Sequence, residues 1–171
     1  MMCRTSIFAL LAAAMTFAAE GDNVVNASVD SRIGTAKVTA GIQSMDLARN
    51  GSATWKAWKV NTPYTPEFTN VDAGYTAKWK VTTNNVVALS GDANNTITLS
   101  AAFTGCTLRF YGEPNTYTVT FKPNGWNPVS PSTKSVTYGS TYGTLPTPTR
   151  TGWTFVGWFT EANGEIGRAH V

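Results

Sequence analysis

From Asp22 to Gly112 the chain is written in short runs that alternate apolar with polar or Thr/Ser positions: VVNASVD, TAKVTAGIQSMDLA, ATWKAWKV, YTAKWKVTT, NVVALSGD, NTITLSAAF and CTLRFYG. A period of two puts successive side chains on opposite faces of an extended strand, so each run predicts a β-strand with one face turned to a core. The runs are separated by RNGS, NTPYTP, NVDAG, GDANN and TG, which are turn formers. Short strands with turns at intervals of about ten residues predict a β-sandwich. Only Ile42 to Arg49 could pass for a helical turn, and it is too short to change the class. Trp55 and Trp58 lie three apart in TWKAWK, which places them on opposite sides of a regular strand.

Glu113-Pro114-Asn115 then reads as a hinge over residues 113–116, because proline cannot donate to a ladder and biases its predecessor to extended geometry. Beyond it, Tyr117, Val119 and Phe121 share one face of a strand before PNGWNPVSPS turns the chain. Val136 and Tyr138 continue that face. Gly139, Gly143, Pro146 and Pro148 pin an irregular crossover, and Trp153, Phe155 and Trp158 are expected to supply the buried bulk. Burial of such aromatics is worth on the order of 2 kcal/mol each, enough to hold a small module without metal or disulfide.

The stretch WKVTTNNVVALSGDANNTITLSAAFTGCTLRFYG resembles the C-terminal strands of bacterial immunoglobulin-like domains. The resemblance covers Tyr75 to Gly112 and implies Trp79 in the inter-sheet core with Leu89, Ile97 and Leu99 facing it. The next stretch, Tyr117 to Phe159, resembles the Listeria–Bacteroides repeat, also called the internalin B-repeat. The residues that carry this are YTVTF and the block VTYGSTYGTLPTPTRTGWTFVGW. The motif positions are Tyr117, Phe121, Tyr138, Gly139, Tyr142, Gly143, Pro146, Pro148, Arg150, Gly152, Trp153, Phe155, Gly157 and Trp158. Trp126 stands where the family has a second turn glycine, implying a different turn, and Trp153 stands where it usually has Tyr. The resemblance implies a small β-grasp-like unit of secreted or surface-attached bacterial proteins, engaged in spacing, adhesion or self-association. The family's closing strand is not found, so the module at 117–164 reads as truncated. Ala77-Lys78-Trp79 echoes the family's closing triplet, but no repeat block precedes it and no second repeat is assigned.

Composition narrows the function classes. Charged residues make up 13% of the 171 and the formal charge is +3, with no run of three Lys/Arg, so no nucleic-acid footprint or polybasic membrane patch is present. Met1 to Ala19 has Arg4 ahead of an apolar stretch and small residues at its end; residues 1–18 read as a cleaved export signal, too short for the ~20 residues that span a bilayer. Cys3 falls in that leader. Cys106 alone remains, as a small apolar strand residue, and no internal disulfide is possible. At the other end, Glu165 to Val171 breaks the texture and resembles the translation of a sequencing-adapter DNA, so residues 165–171, with His170, read as non-native.

With His170 set aside, no histidine constellation or His-based metal site is available, and neither metal nor cofactor is expected. The acids Asp22, Asp30, Asp46, Glu67, Asp72, Asp92, Glu113 and Glu161 are scattered without a local spacing that suggests a paired-carboxylate hydrolase. Gly152 to Gly157 has phosphate-loop spacing, but Trp158 and Phe159 stand where Lys and Ser/Thr are needed; Asp92-Ala93-Asn94 begins like a calcium loop without its glycine and closing Glu. Leu145 to Thr149 misses a cell-wall sorting motif by a proline.

The expected architecture is therefore mainly β: an immunoglobulin-like β-sandwich at 22–112 followed by the truncated repeat at 117–164. The expected function is a non-catalytic spacer, adhesion or protein-interaction module of an exported bacterial protein, located in the cell envelope or outside the cell. Its partners would be protein or glycan at the cell surface and neighbouring repeats, with no nucleic acid and no membrane insertion after signal removal. The alternative is a carbohydrate-binding module of a larger secreted protein, in which Trp55, Trp58 and Trp126 are exposed aromatics that stack on sugar rings.

Overall fold

The computed structural model describes residues 22–160; the expected leader and tail, with Glu161 and His170, lie outside the described residues. The described chain is mainly β and divides into two compact units. The first runs to Asp72 and resumes at Ala77–Gly112; the second comprises Ala73–Thr76 and the chain from Glu113 onward.

The first unit is an immunoglobulin-like β-sandwich. Its eight strands are β1 (Asp22–Val29), β2 (Ile33–Ala40), β3 (Gln43–Ala48), β4 (Ser52–Lys59), β5 (Thr65–Val71), β6 (Tyr75–Thr83), β7 (Val86–Asp92) and β8 (Cys106–Pro114). They form a five-stranded sheet of order β4-β1-β8-β6-β7 and a three-stranded sheet of order β3-β2-β5. The alternation seen in the sequence explains the core. In β1, Asn23, Val25, Ala27 and Val29 point inward; β8 runs parallel beside it, and its register sets Val25, Ala27 and Val29 against Cys106, Leu108 and Phe110. On the opposite sheet the rows Met45-Val38-Pro66 and Leu47-Ala36-Phe68 are aligned in the same way. The Phe68 and Phe110 rings meet edge to face at 5.8 Å.

Trp79, Ile97 and Leu99 are buried in this core with Leu89 packed against it, as the immunoglobulin-like resemblance implied. Gly91 is the register partner of Trp79 and lies under its indole: a Cβ there would come 2.6 Å from the ring. The indole Nε1 donates to the Asp92 carbonyl at 3.0 Å, satisfying a buried polar group.

Within the run TAKVTAGIQSMDLA, Gln43–Ala48 is strand β3, because Met45 and Leu47 alternate into the core, and no helical turn forms there. One local expectation is corrected. NTITLSAAF is not a ladder strand. Ile97 makes a single reciprocal bridge with Tyr64, Leu99 accepts a bond from the Asn61 amide, and Ala101–Phe103 form a 3-10 turn. The segment buries Ile97 and Leu99 without lengthening a sheet.

Among its described residues the second unit contains one hairpin, β9 (Thr116–Thr120) with β10 (Thr133–Thr137), whose register sets Tyr117 opposite Val136 and Val119 opposite Lys134. The residues read as a hinge are extended, with β8 running through Pro114 and β9 starting at Thr116. The crossover from Gly139 to Thr160 has no regular strand.

Candidate functional site

The tryptophan positions decide where a binding surface can lie. Trp58 is fully buried, which corrects its assignment as an exposed aromatic. The cause is a register shift in the β1–β4 ladder, where Asn23 pairs with Trp58 but Val25 already pairs with Trp55. Three residues of β4 therefore span two of β1, a bulge that brings both indoles to the same side. The rings of Trp55 and Trp58 stand edge to face at 5.3 Å, and Tyr64 lies 4.0 Å from Trp58 and 5.4 Å from Trp55. Trp55 is partly buried against the core. The Tyr64 hydroxyl donates to Gln43 Oε1 at 2.6 Å and accepts from the Lys59 amide, and burial pushes its pKa above the ordinary phenol value. This corner is structural.

Trp126 is also packed, edge to face on Phe155 at 5.7 Å. Asn124 and Gly125 take φ of 47° and 87°, and the Trp126 amide closes the turn onto the Pro123 carbonyl at 3.1 Å. The two positive-φ positions are filled before Trp126, so its ring is free to join the aromatic cluster. That cluster continues from Phe155 to Trp158 at 5.5 Å and from Trp158 to Phe121 at 5.1 Å. Trp158 Nε1 donates to the Pro146 carbonyl at 2.7 Å, and Lys134 Nζ to the Thr144 carbonyl at 2.8 Å, which fastens the irregular crossover to the hairpin. Gly139, Gly143 and Gly152 hold φ of 76°, 62° and 77°, a region in which a side chain is strained, so these motif glycines encode the path of the backbone.

Trp153 was expected in the core and is instead 64% exposed. The Arg150 guanidinium lies 4.7 Å from the centroid of its ring, a cation–π arrangement. Val156 and Phe159 are also exposed, as is Tyr117 on the hairpin. Alternation could not reveal this, because TGWTFVGWF forms no strand and its side chains follow no two-residue period. The remaining motif positions are structural: Phe121 and Pro148 are buried, Tyr142 is partly buried, and Tyr138 meets the Tyr75 ring at 5.4 Å.

A charged cluster that sequence reading did not single out ties three loops of the sandwich. Arg49 donates to Asp72 at 2.9 Å and to the carbonyls of Ser31 and Asn70; Arg32 lies 3.7 Å from Asp72. The hydrogen bond from Arg49 and the neighbouring positive charges hold the Asp72 carboxyl below its ordinary range, although partial desolvation opposes them. Asp30 and Arg109 approach to 4.0 Å nearby. The signal was weak because Arg32, Arg49 and Asp72 are far apart in sequence.

Cys106 is buried and burial raises its pKa, which disfavours the reactive thiolate. Among the described residues no group of three or more His, Cys, Asp or Glu is placed to hold a metal ion, and no helix is long and apolar enough to cross a membrane. No curated protein and no solved structure matches the chain. The family model that does match is that of the Listeria-Bacteroides repeat domain, a non-enzymatic domain type found in bacterial surface proteins, and it covers residues 117–168.

Proposed function

We propose that the chain is a non-catalytic module of an exported bacterial surface or extracellular protein. In this reading the sandwich is the scaffold and the repeat unit presents a surface to protein partners, neighbouring repeats included. The observation that carries it is the repeat match at 117–168. The outward Trp153, Val156 and Phe159 of the same unit support it, since exposed aromatics are favoured in interfaces. Expression of the full chain in a bacterium, followed by fractionation and N-terminal sequencing, tests export. A mature chain beginning after Ala18 and recovered outside the cytoplasm is expected; an uncut cytoplasmic chain contradicts the proposal.

A second reading, carbohydrate binding, rests on Trp153 in place of Trp55, Trp58 and Trp126. Its indole is exposed and Arg150 lies over one face of the ring, so the other face suits stacking against a sugar ring that carries an acceptor or acidic group. Fluorescence titration across a glycan panel separates the two readings. Saturable quenching that disappears in Trp153→Ala favours glycan; a flat response across the panel leaves the protein-partner reading in place.

A further inference from the structure

Three Asn-x-Ser/Thr acceptor patterns occur in the sequence: Asn26-Ala27-Ser28, Asn50-Gly51-Ser52 and Asn94-Asn95-Thr96. The structure separates them. Asn26 lies within β1 with its backbone paired to both β4 and β8, and its side-chain oxygen accepts from Thr54 Oγ1 at 2.9 Å. Asn50 sits at the β3–β4 turn, but its required hydroxyl residue, Ser52, is already in the β4 ladder opposite Ser28, and Gly51 is bonded to Ala48 and Val29. Neither tripeptide can enter an enzyme cleft without opening a sheet.

Asn94 is different. Ala93, Asn94, Asn95 and Thr96 are all exposed, at the tip between the end of β7 and the buried Ile97. The tip is shaped by Asp92: its Oδ1 accepts from the Asn94 amide at 2.9 Å, and its own amide donates to Asn95 Oδ1 at 3.0 Å. Ile97 anchors the far side through both of its bonds to Tyr64, at 2.8 and 3.0 Å. The Asn94 carboxamide and the Thr96 hydroxyl have no partner among the described residues, so both groups an acceptor site needs point into solvent. Asp92 also places a carboxylate two residues before the acceptor, where Asn26 has Val24 and Asn50 has Ala48. A negative charge at that position is an additional handle for oligosaccharyltransferases of bacterial type.

We infer that Asn94 is an N-glycan acceptor, modified by an oligosaccharyltransferase that draws on a polyprenyl-diphosphate oligosaccharide. In the transfer the bond from the sugar C1 to the diphosphate oxygen breaks and a bond from C1 to Asn94 Nδ2 forms. One amide proton is released, the polyprenyl diphosphate leaves, and nothing is oxidised or reduced. Modification of this tip would leave the sandwich core untouched. The inference rests on the export reading, because such donors are used on the outer side of the cytoplasmic membrane.

The test uses the purified full chain, a bacterial oligosaccharyltransferase and its polyprenyl-diphosphate oligosaccharide, with intact mass and peptide mapping as readout. A gain of one oligosaccharide on Asn94 is expected. It should vanish in Asn94→Gln and Thr96→Ala, persist in Asn50→Gln and Thr96→Ser, and slow at least tenfold in Asp92→Asn, with circular dichroism showing each variant folded. An unmodified chain in a vessel where a control acceptor peptide is consumed overturns the inference, as does a glycan on Asn26 or Asn50. Purified components keep the two readings apart, since cytoplasmic retention in the fractionation would overturn export without bearing on acceptor chemistry.

Discussion

The two units use aromatic residues in opposite ways. In the sandwich, Trp58, Tyr64 and Phe110 are wholly covered, because two sheets close over one another and every inward row meets a facing row. Among the described residues of the repeat unit, a single hairpin is covered by an irregular crossover. Phe121 and Val136 are buried there, Trp126, Phe155 and Trp158 are partly buried, and Trp153 remains outside. The difference teaches that aromatic content alone does not measure a core. What matters is whether a second layer faces the first: in the described part of the repeat the cover is thin, and part of the aromatic surface stays exposed.

The comparison is broken most severely at Trp58. Trp58→Ala should lower the stability of the sandwich by about 3–5 kcal/mol, because a large cavity opens between two sheets that cannot collapse into it. Urea unfolding followed by circular dichroism measures this, and a loss below ~1 kcal/mol would mean that the Trp58 corner is not core. The second unit is more exposed to a change of backbone. Gly74 has φ of 81°, and a Cβ there would lie 2.4 Å from the Tyr138 ring. Gly74→Ala should cost about 2 kcal/mol from the left-handed backbone and the displaced ring together, visible as shifted Tyr138 resonances.

Trp126→Ala sharpens the comparison from the other side. Its ring is only partly covered, so the loss should be about 1 kcal/mol, several-fold below that of Trp58→Ala. The smallest effect concerns pH. Asp72 has its folded-state pKa lowered by Arg49, so its contribution is fully present above the ordinary aspartate value of about 4 and is lost as pH falls through the lower folded value. Acid titration of stability should show this step in the wild type and lose it in Asp72→Asn, whereas the repeat unit should not respond to that substitution.

Much of the sandwich was legible because period two is enforced by burial: Val25, Ala27 and Val29 of β1 and Cys106, Leu108 and Phe110 of β8 point inward as their alternation requires. The β4 bulge was not legible, since one extra residue in a ladder is a property of the pair of strands, and it moved Trp58 from the expected surface into the core. In the repeat, the motif glycines disclosed positive-φ turns, while the exposure of Trp153 depends on what lies across from it and has no local signature. The Arg32, Arg49 and Asp72 cluster was hidden for the same reason, being assembled from three separate loops.

Residue-resolved hydrogen exchange on the full chain tests the contrast between the units most directly. The Tyr64 and Ile97 amides bond one another's carbonyls inside the sandwich, and the Phe121 amide bonds the Ser132 carbonyl in the repeat. Tyr64 and Ile97 are expected to exchange only through global opening of the sandwich, with Phe121 exchanging at least tenfold faster through local opening. Protection of Phe121 equal to that of Tyr64 and Ile97 would contradict the account, because it would show that the thin aromatic cluster holds its unit as firmly as a two-layer core.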